Sequence, residues 1–272
     1  MIDKTVVITG AAGVLCHVIA EDYARRGAKV ALLDINLEAI TQLADQFKSQ
    51  GYNAKAYYAN VLKKDTLIDA EKQITSELGS CKILINGAGG NNPLATTDDE
   101  VYDKEEHSKK SFFDLSEEGI DFVFNLNFKG TFLASQVFAK KMAEHKGGSI
   151  LNISSMNAYT PLTKIPAYSA AKAAVSNFTE WLAVYFATSN IRVNAIAPGF
   201  FSTNQNKWLL FNKDGSLTDR SQKILRNTPM NRFGNASELL GAVRFFTDDT
   251  ESSFVTGVVL PVDGGFNAFS GV

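Results

Sequence analysis

Short apolar runs alternate with longer amphipathic stretches from the start of this chain: TVVITG leads into VLCHVIAEDYARRG, AKVALLD into NLEAITQLADQFKSQG, and YNAKAYYANV into KKDTLIDAEKQITSELG. The runs have the length of strands and the stretches between them the length and periodicity of helices. Strands joined by helices of that size pair in parallel, because a hairpin cannot connect parallel neighbours. The alternation continues through KILINGAGG, a helix over Gly119 to Glu144, the strand GGSILNIS, the helix IPAYSAAKAAVSNFTEWLAVYFA and the strand IRVNAIAP. A helix near Ala236 to Phe246 and the strand TGVVLPVDGG close the chain. No repeat, low-complexity tract or linker divides it, so residues 1–272 form a single α/β domain.

Two segments break the rhythm. Residues 90–118 are polar, charged and aperiodic, and read as an inserted loop or flap; residues 199–235 carry only short helical pieces and read as a lid over a substrate. Composition narrows the function. A net charge of -2 and no dense Lys/Arg stripe argue against nucleic acid as a partner. Cys16 and Cys81 are the only cysteines, and His17, His107 and His145 are scattered, so neither a disulfide framework nor a metal site is expected. The N-terminal apolar run is too short for a signal peptide and no stretch is long enough to span a membrane, which points to a soluble cytoplasmic protein.

The first strand ends in Thr9-Gly10-Ala11-Ala12-Gly13-Val14-Leu15-Cys16, with a helix starting at once. Glycines in such a turn let the backbone approach a pyrophosphate, and the helix N-terminus offers it free N–H groups and a partial positive charge. A turn that needs glycine and binds nothing has the same appearance. Asp34, at the end of the second strand, is where a carboxylate accepts hydrogen bonds from an adenosine ribose and repels a 2′-phosphate, which favours NAD over NADP. It could instead cap the next helix.

Tyr168 and Lys172 lie at i and i+4 on one helix face. A fixed ammonium beside a phenol favours the phenolate, so the pair can move a proton. Such spacing is common on helices, and its weight comes from the motifs around it.

Those motifs occur in order: Thr9-Gly10 with Gly13, Asn86-Gly87-Ala88-Gly89, Asn127 in NLNFKG, Ser155 in NISSM, Tyr168-x-x-x-Lys172, and Pro198-Gly199 followed by Thr203. Together they resemble the short-chain dehydrogenases/reductases over essentially the whole length. The resemblance implies a Rossmann-type, doubly wound parallel sheet of about seven strands with helices on both faces. It also implies hydride transfer between a nicotinamide and a carbinol or carbonyl carbon. Tyr168 would be the proton donor or acceptor, with Lys172 lowering its pKa and holding the nicotinamide ribose. Ser155 rather than Ser154 would bond the substrate oxygen, and Asn127, at a helix irregularity, would anchor a water that links Lys172 to solvent. NAD(H) would be held by Gly10, Gly13, Val14, Leu15, Asp34, Asn60, Val61, Asn86, Gly87, Ala88, Tyr168, Lys172, Pro198, Gly199 and Thr203. Two departures stand out: Val14 and Cys16 replace the later glycines of the usual TGxxxGxG turn, Cys16 reading as a packing residue, and Asn60 stands where an aspartate often contacts adenine.

Substrate selection falls to the irregular segments and to the residues after Ser155. Asn91, Asn92, Asn157, Thr163, Lys164 and Asn204 to Lys207 suit a polyol, and Arg226 or Arg232 could pair with a carboxylate. Asn92, Ser155, Asn157, Lys164 and Asn204 are the specific candidates. WLLF at Trp208 to Phe211 is an apolar piece of the lid. Within the family the chain looks closest to the bacterial D-mannonate oxidoreductases, or fructuronate reductases. That likeness is carried by TGAAGVLC, INGAGGNNP, FFDLSEEG, SSMNAYTPLTKIPAYSAAKAAVSNFTEWLAVYFA, IAPGFFSTNQNKWLL and FVTGVVLPVDGGFNAFSGV. It implies a small sugar-acid substrate, with a gluconate 5-dehydrogenase-like keto-sugar-acid reductase as the alternative and a non-catalytic dinucleotide-binding protein disfavoured. It also implies a homotetramer, with Ala173, Ala174, Phe178, Trp181, Leu182, Tyr185 and the C-terminal strand as contact candidates.

Overall fold

The computed structural model describes residues 2–105, 108–145, 147–202 and 207–271. Its strands are β1 (Thr5–Thr9), β2 (Lys29–Asp34), β3 (Ala54–Tyr58), β4 (Cys81–Asn86), β5 (Gly148–Ile153), β6 (Ile191–Pro198) and β7 (Val259–Val262). The helices are α1 (Val14–Arg25), α2 (Leu37–Ser49), α3 (Lys64–Glu77), α4 (Glu117–Phe124), α5 (Gly130–Glu144), α6 (Pro166–Phe186), α7 (Lys207–Leu210), α8 (Asp219–Arg226) and α9 (Leu240–Thr247). All seven strands form one parallel sheet in the order β3-β2-β1-β4-β5-β6-β7. The chain reverses its direction across the sheet between β1 and β4. A cleft opens there, beyond the carboxyl ends of the strands, and that is where ligands bind in sheets of this kind.

Alternation along each strand sends neighbours to opposite faces, and a sheet covered on both sides needs apolar residues at every position. Val6, Ile8, Leu32, Ile85 and Ile196 pack beneath α1, α2 and α9, around Ile19, Tyr23, Ile40, Phe47 and Phe246. Val7, Leu33, Leu84, Ile150 and Val193 face the other way, against Leu67, Ile74, Phe138, Met142 and Leu182 of α3, α5 and α6. One ion pair fastens α1 to α9. Arg244 Nε donates to Asp22 Oδ2 at 2.8 Å and its Nη2 reaches Asp22 Oδ1. Asp22 is buried, which opposes its charge, yet the hydrogen bonds from Arg244 and Arg25 hold its carboxyl below the usual range.

The helix expected from Gly119 to Glu144 is interrupted by a π-turn at Asn125–Lys129. Residues 90–118 are stitched by local bonds. The Thr97 amide donates to Lys164 O at 2.9 Å, the Asp98 amide to Lys110 O at 2.9 Å, and the Lys110 amide to Asp98 Oδ2 at 2.7 Å. A capping box between Ser111 and Asp114 closes the far end.

The α6 face needs a correction. Phe178 and Leu182 are part of the core under α6, whereas Trp181 and Tyr185 are exposed, as is Val184, which was not among the contact candidates. An apolar helical position reports burial somewhere, and the sequence alone does not say whether the covering surface is this chain or another.

Candidate active site

Gly10 ends β1 with φ of 66°, and a Cβ there would lie 2.7 Å from Ala88 Cα. Glycine alone meets both conditions, so the turns after β1 and β4 press backbone against backbone. Thr9 locks the contact: its Oγ1 accepts from the amides of Gly87 at 3.1 Å and Ala88 at 3.3 Å. Asp34 holds the other side. Its Oδ2 accepts from the Ala12 amide at 3.1 Å and its Oδ1 from the Asn36 amide at 2.9 Å, while Asn36, not Asp34, caps α2. The N-terminus of α1 has no side-chain cap, so the N–H groups of Val14 and Leu15 remain for an anion. An uncapped helix start, a close backbone turn and a carboxylate at the end of β2 fit a dinucleotide.

Cys16 fills the space that a third glycine would leave open. Its Sγ lies where a Cβ on Gly87 would come, 2.1 Å away, so Cys16 and Gly87 are complementary in volume. The thiol is 4% exposed and burial pushes its pKa up to about 12, which fits packing rather than reactivity.

The residues expected to carry the chemistry follow β5 or lie on α6 and the π-turn. Ser154 turns inward, its Oγ bonded to Lys172 O at 3.1 Å and Ser176 Oγ at 2.7 Å. Ser155 faces Tyr168 closely enough to favour its phenolate, while its Oγ accepts from the Asn157 amide at 3.2 Å. Strand alternation separates the two serines. Burial raises the Tyr168 pKa, and the nearby Ser155 hydroxyl only partly offsets that. For the chain alone the net shift is therefore upward, opposite to the lowering expected from Lys172. In the chain by itself the Lys172 ammonium lies 5.7 Å from the centre of the tyrosine ring and donates to Ile153 O at 2.8 Å. Lys172 is 4% exposed, and desolvation brings its own pKa down to about 8.

Asn127 is fully buried in the π-turn. Its Nδ2 donates to Gly90 O at 2.7 Å and Val123 O at 2.8 Å, and its Oδ1 accepts from the Gly90 amide at 3.1 Å. Both N–H bonds are therefore used, so it can offer a water only an acceptor. Its geometry is that of a positioning residue. A Cβ on Gly89 would meet Asn127 Oδ1 at 2.7 Å and Lys172 Nζ at 3.2 Å, which sets the loop after β4 directly against Lys172.

Other expected positions fall differently. The Asn86 side chain is buried in the sheet, donating to Ser135 Oγ at 2.9 Å and Asn152 Oδ1 at 2.8 Å; a residue ending a central strand turns inward here, leaving the cofactor side to the backbone of Gly87 and Ala88. Asn60 Oδ1 accepts from the Leu62 amide at 3.0 Å, a local turn bond that leaves its Nδ2 without a partner among the described residues, and Val61 packs on Gly130. Gly199 lies against Asp263, its amide bonded to Val262 O at 3.0 Å, so the Pro198-Gly199 turn leans on β7. Lys164, at φ of 71°, spends its ammonium on Asp98 O at 2.6 Å, tethering the inserted segment rather than facing a substrate. Asn92 caps a short turn through the Leu94 amide at 2.8 Å, and Asn91 bonds Thr96. Arg232 forms a two-pronged pair with Glu238. Asn157 is 5% exposed and its Oδ1 has no partner among the described residues, so it remains the candidate that could accept from a bound hydroxyl. Thr203, Asn204, Gln205 and Asn206 lie outside the described residues. Thr9 was visible only as part of a motif; its signal was a hydroxyl at the end of the strand facing a Gly-Ala turn.

Among the described residues no three His, Cys, Asp or Glu side chains group as a metal site, and no helix is long and apolar enough to cross a membrane. The family model for short chain dehydrogenases matches residues 4–211. This chain belongs to the short-chain dehydrogenase family. It is 57% identical over 271 residues to an uncharacterized oxidoreductase of Haemophilus influenzae, covering 99% of this chain and 95% of that one. A crystal structure with bound NAD from Haemophilus influenza, provisionally named a D-mannonate oxidoreductase, superposes with a TM-score of 0.97 at 56% identity, covering 100% and 98% of the two chains. The 5-keto-D-gluconate 5-reductase of Escherichia coli is 31% identical over 96% of this chain and 94% of its own. The short-chain dehydrogenase is thus an NAD(P)-dependent oxidoreductase acting on CH–OH groups.

Proposed function

We propose that the protein interconverts D-fructuronate and D-mannonate using NAD(H). The observation that carries the substrate and the cofactor is its likeness, at 56% identity and a TM-score of 0.97, to the NAD-bound structure provisionally named a D-mannonate oxidoreductase. In this reading the substrate oxygen sits between the hydroxyls of Ser155 and Tyr168. Tyr168, kept neutral near pH 7 by burial, gives its proton to that oxygen in reduction and takes it back in oxidation. Bound in the cleft, the nicotinamide supplies or accepts the hydride. Lys172, protonated below about pH 8, donates to the ribose hydroxyls, and its charge counters the cost of a phenolate at Tyr168. The turn from Gly10 to Leu15 holds the pyrophosphate, and the Asp34 carboxylate disfavours NADP by repelling its extra phosphate.

Replacing Tyr168 with Phe is expected to abolish NADH oxidation by fructuronate while NADH binding, followed by its fluorescence, stays within about twofold; full turnover in that variant would refute the assignment. The likeness to 5-keto-D-gluconate 5-reductase supports a second reading, a reductase of other keto-sugar acids. A substrate panel with fructuronate, 5-ketogluconate and 2-keto acids separates the two, since brisk turnover of another keto acid with none of fructuronate selects the second. Residues 90–118 and 199–235 serve as flap and lid in either case. Exposed Trp181, Val184 and Tyr185 on α6 support assembly as a homotetramer. A light-scattering mass near 29.6 kDa would exclude that assembly.

A further inference from the structure

A cavity of about 520 Å³ lies between the segment Thr160–Lys164, Phe200, α8 and Phe266. Thr160–Lys164 runs directly into α6, which carries Tyr168, and Phe200 follows the Pro198-Gly199 turn, so the cavity is lined by chain that adjoins two segments of the candidate site. Its wall is largely apolar, from Pro161, Leu162, Phe200, Ile224 and Phe266, and is studded with charges: Lys164, Arg220 and Lys223 as cations and Glu100 and Asp219 as anions. Two of the cations are already engaged. Lys164 donates to Asp98 O, and Lys223 pairs with Glu100 at 3.0 Å, joining α8 to the inserted segment across the mouth of the cavity. Arg220 is exposed and makes neither a hydrogen bond nor an ion pair among the described residues. Asp219 lies in the first turn of α8, where the positive end of the helix favours its charge.

We propose that Arg220 is the carboxylate anchor of this enzyme, the residue that selects keto-sugar acids over neutral keto sugars. The proposal rests on the keto-acid reading given above. A guanidinium presents a planar fork that fits a carboxylate with two parallel hydrogen bonds, which a polyol hydroxyl cannot match. With Lys164 and Lys223 committed, it is the lining cation left to receive an anion. Among the polar groups of the wall, Thr163 offers a hydroxyl and Thr160 and Asn227, whose donors bond Asn267 and Lys223, offer acceptor oxygens to a sugar chain. Arg220 touches the end of the substrate remote from the reacting carbon, so its loss acts on binding more than on the chemical step.

The test uses the full-length enzyme with NADH and two substrates, D-fructuronate and D-fructose, in which a CH2OH replaces the carboxylate. For Arg220→Gln, KM for fructuronate is expected to rise about ten- to a hundredfold with kcat within about twofold, the range of a lost charge-assisted hydrogen bond. Turnover of fructose should not change, and Arg220→Lys should recover part of the loss. Unchanged NADH affinity in Arg220→Gln checks that the fold and cofactor site are intact. A fructuronate KM within about twofold of the wild type overturns the anchor while leaving the keto-acid reading in place. A wild-type enzyme that reduces no keto-sugar acid overturns that reading itself, and the anchor with it.

Discussion

Replacing Gly87 with alanine forces a methyl group to within 2.1 Å of Cys16 Sγ and 2.9 Å of Thr9 O, against the 3.4 Å or more of an ordinary contact. Both neighbours are buried, Cys16 at 4% and Thr9 at 1% exposure, and the oxygen belongs to the backbone of β1, so neither can retreat freely. Overpacking a dense core costs about 1–3 kcal/mol, and this site belongs at the upper end. The Cys16→Ala change removes the sulfur at a cost of about 1 kcal/mol in lost packing. Combined with Gly87→Ala, however, it clears the worse of the two clashes, because the nearest Cys16 atom left is Cβ at 3.7 Å. The double variant should therefore be more stable than the sum of the single changes implies, by about 1–2 kcal/mol. Urea unfolding of the four proteins measures this directly, and NADH affinity should fall and recover in parallel, since Gly87 and Ala88 press on the Gly10 turn. Costs that add to within about 0.5 kcal/mol would show that the sulfur and the glycine are not matched, and the reasoning would fail.

Three further outcomes are expected. Asp34→Ala should raise KM for NAD about tenfold and narrow the preference over NADP, read from parallel initial rates; an unchanged ratio of the two cofactors counts against a role for its carboxylate. In the reductive direction kcat/KM should be flat near neutrality and decline as pH rises through about 8. Lys172 loses its proton there while Tyr168, raised by burial, keeps its own, so a flat profile to about pH 9.5 contradicts the assignment. Asp22→Asn should cost about 2–3 kcal/mol, below the range for a fully buried pair because the Arg244 side chain is 36% exposed. The depressed Asp22 carboxyl contributes stability above its unfolded pKa of about 3.9 and loses it as pH falls through the folded value, so the variant should also unfold with a weaker acid dependence.

The alternation of apolar runs and amphipathic helices made the parallel α/β sheet legible, because covering both faces leaves a strong pattern in every strand. The glycine turn was legible because few residue types satisfy its backbone geometry; Ser155 over Ser154 rested on strand alternation together with the family spacing, and the irregularity at Asn127 on the family resemblance alone. Polar side chains were harder. Asn86 looks like a cleft residue in sequence but bonds Asn152 inside the sheet, and Asn92 is consumed by its own turn. Lys164 is placed by the inserted segment, whose bonds have no sequence periodicity. The acidity of Tyr168 depends on burial, which spacing to Lys172 does not report. Arg220 passed unnoticed because nothing local distinguishes it from Arg226 or Arg232; only the ion pairs of its neighbours set it apart.

The stitching of the inserted segment also bears on how such a chain can change. The Asp98 and Lys110 backbones meet, Ser116 N reaches back to Leu94 O, and Lys164 gathers Thr97 and Asp98 at the base. The two ends of the excursion are thus held close together whatever lies between them, and extending a closed loop costs only about 0.6 kcal/mol per doubling of its length. The segment behaves as an exchangeable cassette. Its tip can be lengthened, shortened or rewritten while the seam that anchors it, and the helix bearing Tyr168 behind that seam, stay where they are.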